Sequence, residues 1–483
     1  MTTAAPIRVV VRASGLSPSA WHADLLARLR LVPGVEVAET HEPRPLLPAD
    51  VFLDPNDSAL TQSGALHPRL GLWRFIFGTE GRLTDPATRE HAAGERGVMV
   101  RLVSIDAHGA ITLLEAGVIK TVTQSLSATR ARILDAIVDW PARALRRILA
   151  HSFQEVRGPQ ISCALQAPAT AAKASIAATM RGYARRIVRE SIEEQWTLGL
   201  IRKPVHHVID SFDANAIEWI EPPRGYALAD PLGAVERSGI LTVLAEGYDF
   251  KDRQGRIVAL DLSLDTQGAR ILAGPREVLR LPMHLSYPQL IFHGSYVYCL
   301  PEASATGKVQ LYRADPFPDK WVPDRILLQS FAGADATVYS HLGRWWMFLG
   351  NHADQDETKL YVFHAPDLLG PWEPHALNPV KCDLRSARSA GPLFAHDGAL
   401  YRPAQDGSAA YGGAVAVNRI VTLTPTAFEE ETVSVLRPSR TSEYPDGLHT
   451  LTGVGAVTLV DGKRHTRSFA RLAWGLRQMA RGS

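Results

Sequence analysis

The chain is poor in cysteine: Cys163, Cys299 and Cys382 are the only three in 483 residues. No two of them have C-x-x-C spacing, which argues against a zinc knuckle and against a disulfide scaffold. A reducing compartment is the simple expectation. Charge of one sign is also lacking, since the net charge is only +2. A general nucleic-acid binder would carry a strong basic excess, so no nucleic-acid partner is expected. No apolar run is long enough to span a bilayer as a helix. The opening MTTAAPIRVVVRASG has a short β-branched run but no helical apolar region followed by a small-residue cleavage site, so it does not read as a signal peptide. These absences point to a cytoplasmic protein. Neither G-x-x-x-x-G-K-[ST] nor H-E-x-x-H occurs, and no cofactor or metal is expected.

What is present is the texture of a globular protein, with 46% hydrophobic and 21% charged residues. The first part reads β-α-β: a buried strand at 7–12, a helix at 20–31, and strands at 35–37 and 50–53. Further strands are expected at 97–104 and 111–114, and a helix at 128–148 with a break at Pro141. The order predicts a small α/β domain with a parallel sheet over residues 1–150, then a helical connector at 151–194.

After Gln195 the texture changes. Short β runs such as WWMFL (345–349) and KLYVFH (359–364) alternate with Gly, Pro and Asp turns. Among them recur ALADPLG (227–233), HLSYPQL (284–290), CLPEAS (299–304), GADATVY (333–339), RSAGPLF (388–394) and GLHT (447–450). Each sets a polar or charged residue beside a β segment. That is the rhythm of a β-propeller whose blades each send a residue to a central pocket. About five units are expected over 195–462. Residues 463–483 read as a basic amphipathic helix, either packed on the propeller rim or touching the inner face of a membrane.

The phrases resemble the five-bladed propeller of family-43-type glycoside hydrolases. The resemblance makes Asp230, in ALADPLG, the general base, and Asp335, in GADATVY, the residue that orients the sugar and tunes the acid. Glu246 lies where the wider superfamily often has an acidic residue. The family's general acid is a Glu directly before Gly-Pro; here that place holds Ala390. Losing an acid is expected to cost roughly 10²–10⁴-fold for an alkoxide leaving group. A phosphate leaving group needs cations instead, and Arg385, Arg388 and Arg402 lie nearby in sequence.

A second resemblance covers about 230–460. The string from HLSYP to GLHT is similar to the propeller found beside formyltransferase-like domains, and to the N-terminal module of plant glucosamine inositolphosphorylceramide transferases. It implies a glycoconjugate setting. Residues 1–150 faintly resemble the formyltransferase fold, with Asp106 at that family's Asp. No N-x-H-P-S phrase lies between Asp54 and Asp106, so a degenerate or repurposed copy is implied.

The leading expectation is a carbohydrate-active enzyme that transfers or cleaves a glycosyl group, with a sugar or activated sugar donor as partner. Asp230, Asp335 and Glu302 are its candidate catalytic residues. Glu246, His284, Arg385, Arg388, Gln405, Asp406 and His449 are candidate substrate contacts, with the two arginines holding an anionic leaving group. The alternatives are a furanoside hydrolase with Glu302 as acid, and a non-catalytic sugar-binding or scaffolding module.

Overall fold

The structure, a computed structural model, describes residues 5–13, 19–42, 48–55, 68–79, 86–150, 192–264 and 268–467. The expected connector lies largely outside these residues, as does most of the expected C-terminal helix. The chain divides into two compact units, Met1–Ala184 and Arg185–Ser483.

In the first unit the run IRVVVR forms β1 (Ile7–Arg12), followed by α1 (Ser19–Arg30), β2 (Val35–Thr40), β3 (Val51–Leu53) and β4 (Leu72–Phe77). Then come α2 (Thr88–Ala93), β5 (Gly97–Ile105), β6 (Ile111–Lys120), α3 (Leu126–Ile137) and α4 (Trp140–Ala150). The sheet order is β2-β1-β3-β4-β5-β6. The expected parallel sheet is corrected to a mixed one: β1 to β4 run parallel, while β5 and β6 are antiparallel. A hairpin joins β5 to β6, and Asp106 builds its turn by accepting the His108 and Ala110 N–H groups at 2.8 and 2.9 Å. That turn is the observed work of the residue assigned by resemblance to formyl transfer. Pro141 does not break one helix. It sits in the first turn of α4, where a missing N–H costs nothing.

Among its described residues the second unit is all β apart from short helices, one of them α5 (Val205–Asp210). Its chain opens with β7 (Ile192–Ile201) and β8 (Glu218–Trp219). Blade I is β9 (Tyr226–Arg237), β10 (Ile240–Asp249), β11 (Gln254–Ser263) and β12 (Arg270–Leu279). Blade II is β13 (Ser286–His293), β14 (Tyr296–Glu302), β15 (Lys308–Ala314) and β16 (Trp321–Gln329). Blade III is β17 (Gly333–His341), β18 (Arg344–Asn351), β19 (Lys359–Ala365) and β20 (Glu373–Pro374), with β21 (Lys381–Cys382) beside β19. Blade IV is β22 (Phe394–His396), β23 (Ala399–Asp406), β24 (Ala414–Leu423) and β25 (Phe428–Leu436).

Blade V is composite. Its inner strands β26 (Leu451–Val454) and β27 (Val457–Arg467) come from the end of the propeller sequence, its outer strands β7 and β8 from the beginning. β27 pairs with β7 from Thr458↔Ile201 to Arg467↔Ile192. These ten ladder positions close the ring. The protein is thus a five-bladed propeller in this unit. Residues 463–467, expected to begin a helix, instead continue β27.

Strand alternation sends successive residues into opposite inter-blade layers. Val258 packs with Leu198 and Leu459 between blades I and V, while its neighbours Ile257 and Ala259 pack with Leu285 and Cys299 between blades I and II. Blades II and III share Leu300, Val338 and Met347; blades III and IV share Phe348, Leu360 and Leu400. Blades IV and V share Val415, Val417 and Val460. Three first-to-second-strand turns have both central residues at positive φ: Ser238-Gly239, Leu342-Gly343 and Asp397-Gly398. Such mirror-image turns match the twist of paired strands.

Candidate functional site

The innermost strands β9, β13 and β17 share an irregularity. Each carries one non-glycine residue in the left-handed region: Asp230 (φ 51), Tyr287 (φ 52) and Asp335 (φ 49). At each of these points the ladder to the next strand shifts register. A β-bulge re-aims one side chain and leaves a backbone group without its ladder partner. The local texts are Ala-Asp-Pro, Ser-Tyr-Pro and Ala-Asp-Ala, and blade IV offers Ala390-Gly391-Pro392. Gly391 has φ 134, and a Cβ there would meet the Leu451 carbonyl oxygen at 2.2 Å. Ala390 is fully buried in the apolar layer between blades IV and V.

Side chains of other blades satisfy the bulge N–H groups. Asp230 N–H donates to Asp461 at 3.0 Å, Tyr287 N–H to Asp230 at 3.1 Å, and Asp335 N–H to Glu302 at 2.9 Å. The Gly391 N–H donates to the Tyr287 hydroxyl at 2.6 Å. The candidate acids are therefore structural acceptors as well as site groups.

Two clusters result. In the first, the His449 Nδ1 lies 2.6 Å from Asp461 and its Nε2 lies 3.5 Å from Asp230. The His449 ring packs against Trp196 at 4.1 Å between centroids. Asp461 also accepts the N–H groups of His449 and Thr450. In the second, Arg388 Nε meets Asp335 at 2.5 Å and Nη1 meets Asp356 at 2.8 Å, while Nη2 stands 3.8 Å from Glu302. Gln405 donates to the same Asp335 oxygen at 3.0 Å. The Tyr411 ring lies 5.6 Å from the Arg388 guanidinium carbon.

Burial pushes the Asp230 carboxyl well above the usual range; His449 opposes this, and the charges of Glu246, Asp461 and Asp335 add to it. Burial likewise drives Asp335 up to about 7 against the pull of Arg388. For His449, burial works against the charged form, but Asp461 outweighs it and holds the imidazole at about 9. Asp461 shows the complement: burial would raise it, and His449 together with the backbone donors lowers it.

A pH dependence follows. A histidine whose folded value exceeds its unfolded value stabilises the fold fully below the unfolded value, and that contribution disappears as pH rises through the folded one. Stability is therefore expected to fall between pH 6.5 and about 9, by about 3 kcal/mol from this group. Denaturant titrations across that window should show the slope in the wild type and lose most of it in His449→Gln. An equal slope in both would overturn the assignment.

Asp230, His449 and Asp461 each offer a donor atom within 4.8 Å of the others, close enough to hold a cation. In the arrangement present, imidazolium supplies the positive charge and Asp461 is already engaged by three N–H donors.

The remaining expected residues divide. His284 accepts the Gly255 N–H at Nδ1 and presents Nε2 to Glu246 at 3.2 Å. Its side chain is 48% exposed, while that of Glu246 is largely buried. Arg385 does not join the cluster. Its guanidinium and its backbone N–H both bind Asp383, two residues away. Asp406 is taken up by a turn, accepting the Ser408 N–H and hydroxyl, with Arg437 at 3.5 Å. Arg402 is fully buried and forks onto Glu430 while donating to the Ser386 carbonyl. Burial would raise Glu430, yet Arg402 and Lys381 hold it at about 2. Of the three arginines expected near an anionic leaving group, Arg385 and Arg402 thus bind Asp383 and Glu430, and Arg388 is bound by carboxylates.

Sequence reasoning missed Asp461, Asp356, Tyr411 and Tyr287. Asp461 sits in VDGK, which reads as a turn but lies within β27. Tyr287 carried a usable signal, because Ser-Tyr-Pro repeats the frame of Ala-Asp-Pro.

Residues 253–448 match the family model described as glucosamine inositolphosphorylceramide transferase 1, N-terminal. The propeller resembles that module. The rice enzyme of this name (Oryza sativa subsp. japonica) is 33% identical over 157 residues, covering 32% of this chain and 21% of that protein. The Arabidopsis thaliana enzyme is 33% identical over 152 residues, covering 30% and 20%. The chain thus matches about a fifth of the length of these curated relatives. Among solved structures, Zg3597, a family 117 glycoside hydrolase of Zobellia galactanivorans, is 13% identical with a TM-score of 0.35, covering 58% of this chain and 92% of that one. The five-bladed fold itself rests on the sheet order described above.

Proposed function

We propose that the propeller unit performs glycosyl transfer on a sugar bearing a protonated amine. The observation that carries this reading is the charge balance of the site. Asp230, Glu246, Glu302, Asp335, Asp356 and Asp461 gather around Arg388 and three histidines, His449, His284 and His352, and Arg388 is already bound by carboxylates. Such a site favours a neutral or cationic sugar over a phosphate-rich one. The name of the relatives, with glucosamine as its first word, supports the same class.

In this reading Asp230 acts as base or nucleophile, Asp335 orients the sugar, and Glu302 relays a proton. Glu246 and His284 meet hydroxyl or amine groups at the accessible edge. An oxocarbenium-like transition state gains from the surrounding carboxylates.

Calorimetry on the full chain at neutral pH tests the substrate class with glucosamine, N-acetylglucosamine and glucose 1-phosphate. Glucosamine is expected to bind about tenfold tighter than its N-acetyl form, since acetylation removes the charge. Tighter binding of glucose 1-phosphate would overturn the proposal and restore the anionic donor.

A further inference from the structure

Tyr287 is a residue that no part of the proposed chemistry requires, yet it touches four of the five blades. It belongs to blade II and is almost completely buried. Its backbone N–H holds Asp230 of blade I at 3.1 Å. Its hydroxyl lies 2.9 Å from Thr337 Oγ1 of blade III and accepts the Gly391 N–H of blade IV at 2.6 Å. Either hydroxyl of this pair can donate; with the Thr337 proton given to the Asp335 carbonyl, the Tyr287 proton goes to Thr337. The Thr337 hydroxyl in turn donates to the Asp335 carbonyl at 3.4 Å. The chain of donors therefore runs one way, from Gly391 through Tyr287 and Thr337 to the bulge of Asp335.

The residue stands at the blade II position that corresponds to Asp230 and Asp335, with the same left-handed backbone. Blade II thus uses its bulge to hold the two neighbouring acids. Gly391, the blade IV counterpart, has no room for a side chain and gives its N–H to the same hydroxyl.

We propose that Tyr287 is the positioning residue that sets the placement of Asp230 relative to Asp335: its main chain fixes the first, and its hydroxyl, through Thr337, fixes the second. The proposal rests on the functional reading above only for its kinetic and binding consequences; the geometric consequence stands without it. A catalytic pair tolerates about 0.5 Å of misplacement before function suffers. A 1 Å error can cost about 10²-fold.

Four variants of the full chain test it: Tyr287→Phe, Thr337→Val, Thr337→Ser, and Tyr298→Phe as a control in the blade II core. Crystal structures are compared first. The carboxyl separation of Asp230 and Asp335 is expected to change by about 0.5 Å or more in Tyr287→Phe and Thr337→Val. It should stay at the wild-type value in Thr337→Ser and Tyr298→Phe. Glucosamine binding by calorimetry is the second readout, with about a tenfold loss expected in the first two variants and recovery in Thr337→Ser. Lower thermal stability with unchanged separation and unchanged binding would reduce Tyr287 to a structural brace and overturn the proposal. If the wild type binds no glucosamine, the functional reading fails, and the crystallographic separation alone decides the role of Tyr287. Should Tyr287→Phe fail to fold, Thr337→Val against Thr337→Ser carries the same comparison.

Discussion

With Asp230 as the base of the proposed glycosyl transfer, Asp230→Asn is expected to lower turnover by about 10²–10⁴-fold while leaving the propeller folded. The substitution is nearly isosteric. Asparagine tolerates the left-handed backbone that Asp230 adopts at φ 51. Its carbonyl oxygen can still accept the Tyr287 N–H, which Asp230 now binds at 3.1 Å. Only the charge and the basic oxygen are lost. Steady-state turnover together with a thermal melt separates the two effects. Full activity in the variant would remove Asp230 from the chemistry. Lost binding with a normal melt would assign it to holding the sugar rather than attacking it.

Arg388→Met is expected to destabilise the fold by about 3–5 kcal/mol, the range for removing one partner of a buried ion pair. The arginine is the shared cation of three carboxylates, Asp335 at 2.5 Å, Asp356 at 2.8 Å and Glu302 at 3.8 Å. Without it they repel one another in a partly dehydrated place. Arg388→Lys should recover only part of the loss, because an ammonium cannot serve three carboxylates with a planar fork. The loss should shrink at low pH as the carboxyls take up protons. Denaturant titrations of both variants at two pH values check this. A loss below about 1 kcal/mol in Arg388→Met would mean that the pairs behave as exposed ones.

Much of the fold was legible because strand texts declare themselves locally. The β-branched run IRVVVR and the short apolar run WWMFL, bounded by turn residues, both form strands. The Asp-Gly pair at 397–398 makes the mirror-image turn that such a pair usually signals. The Leu342-Gly343 turn does the same with a residue that gives no such signal. β4, in LGLWRFIFG, escaped notice, since periodicity alone does not tell a short apolar run in a strand from one in a buried helix. Strand direction in the first unit was equally hidden, since whether neighbouring strands run parallel depends on connections that periodicity does not encode.

The site was half legible. Asp230, Glu302, Asp335, Arg388, Gln405 and His449 come together, but Arg385 and Asp406 turn to partners two residues away. Short-range competition of this kind is set by side-chain direction, which a list of residues leaves open. Asp461 could not be found from its neighbours. It acts on Asp230, which lies 231 positions away in the chain.

By itself the sequence determined most of the elements: the strands of the first unit other than β4, the change to a β texture after Gln195 with about five units, and the phrases that set a polar or charged residue beside a β segment. These depend on side-chain type and spacing over a few residues, which local sterics and hydrophobic alternation settle. Tertiary structure alone decided which charges neutralise which. Closing the ring through β7 and β27 brings distant residues to one axis, and there Arg388 meets three carboxylates. Burial at that axis then raises Asp230 and Asp335, because a carboxylate taken out of water holds its proton more tightly.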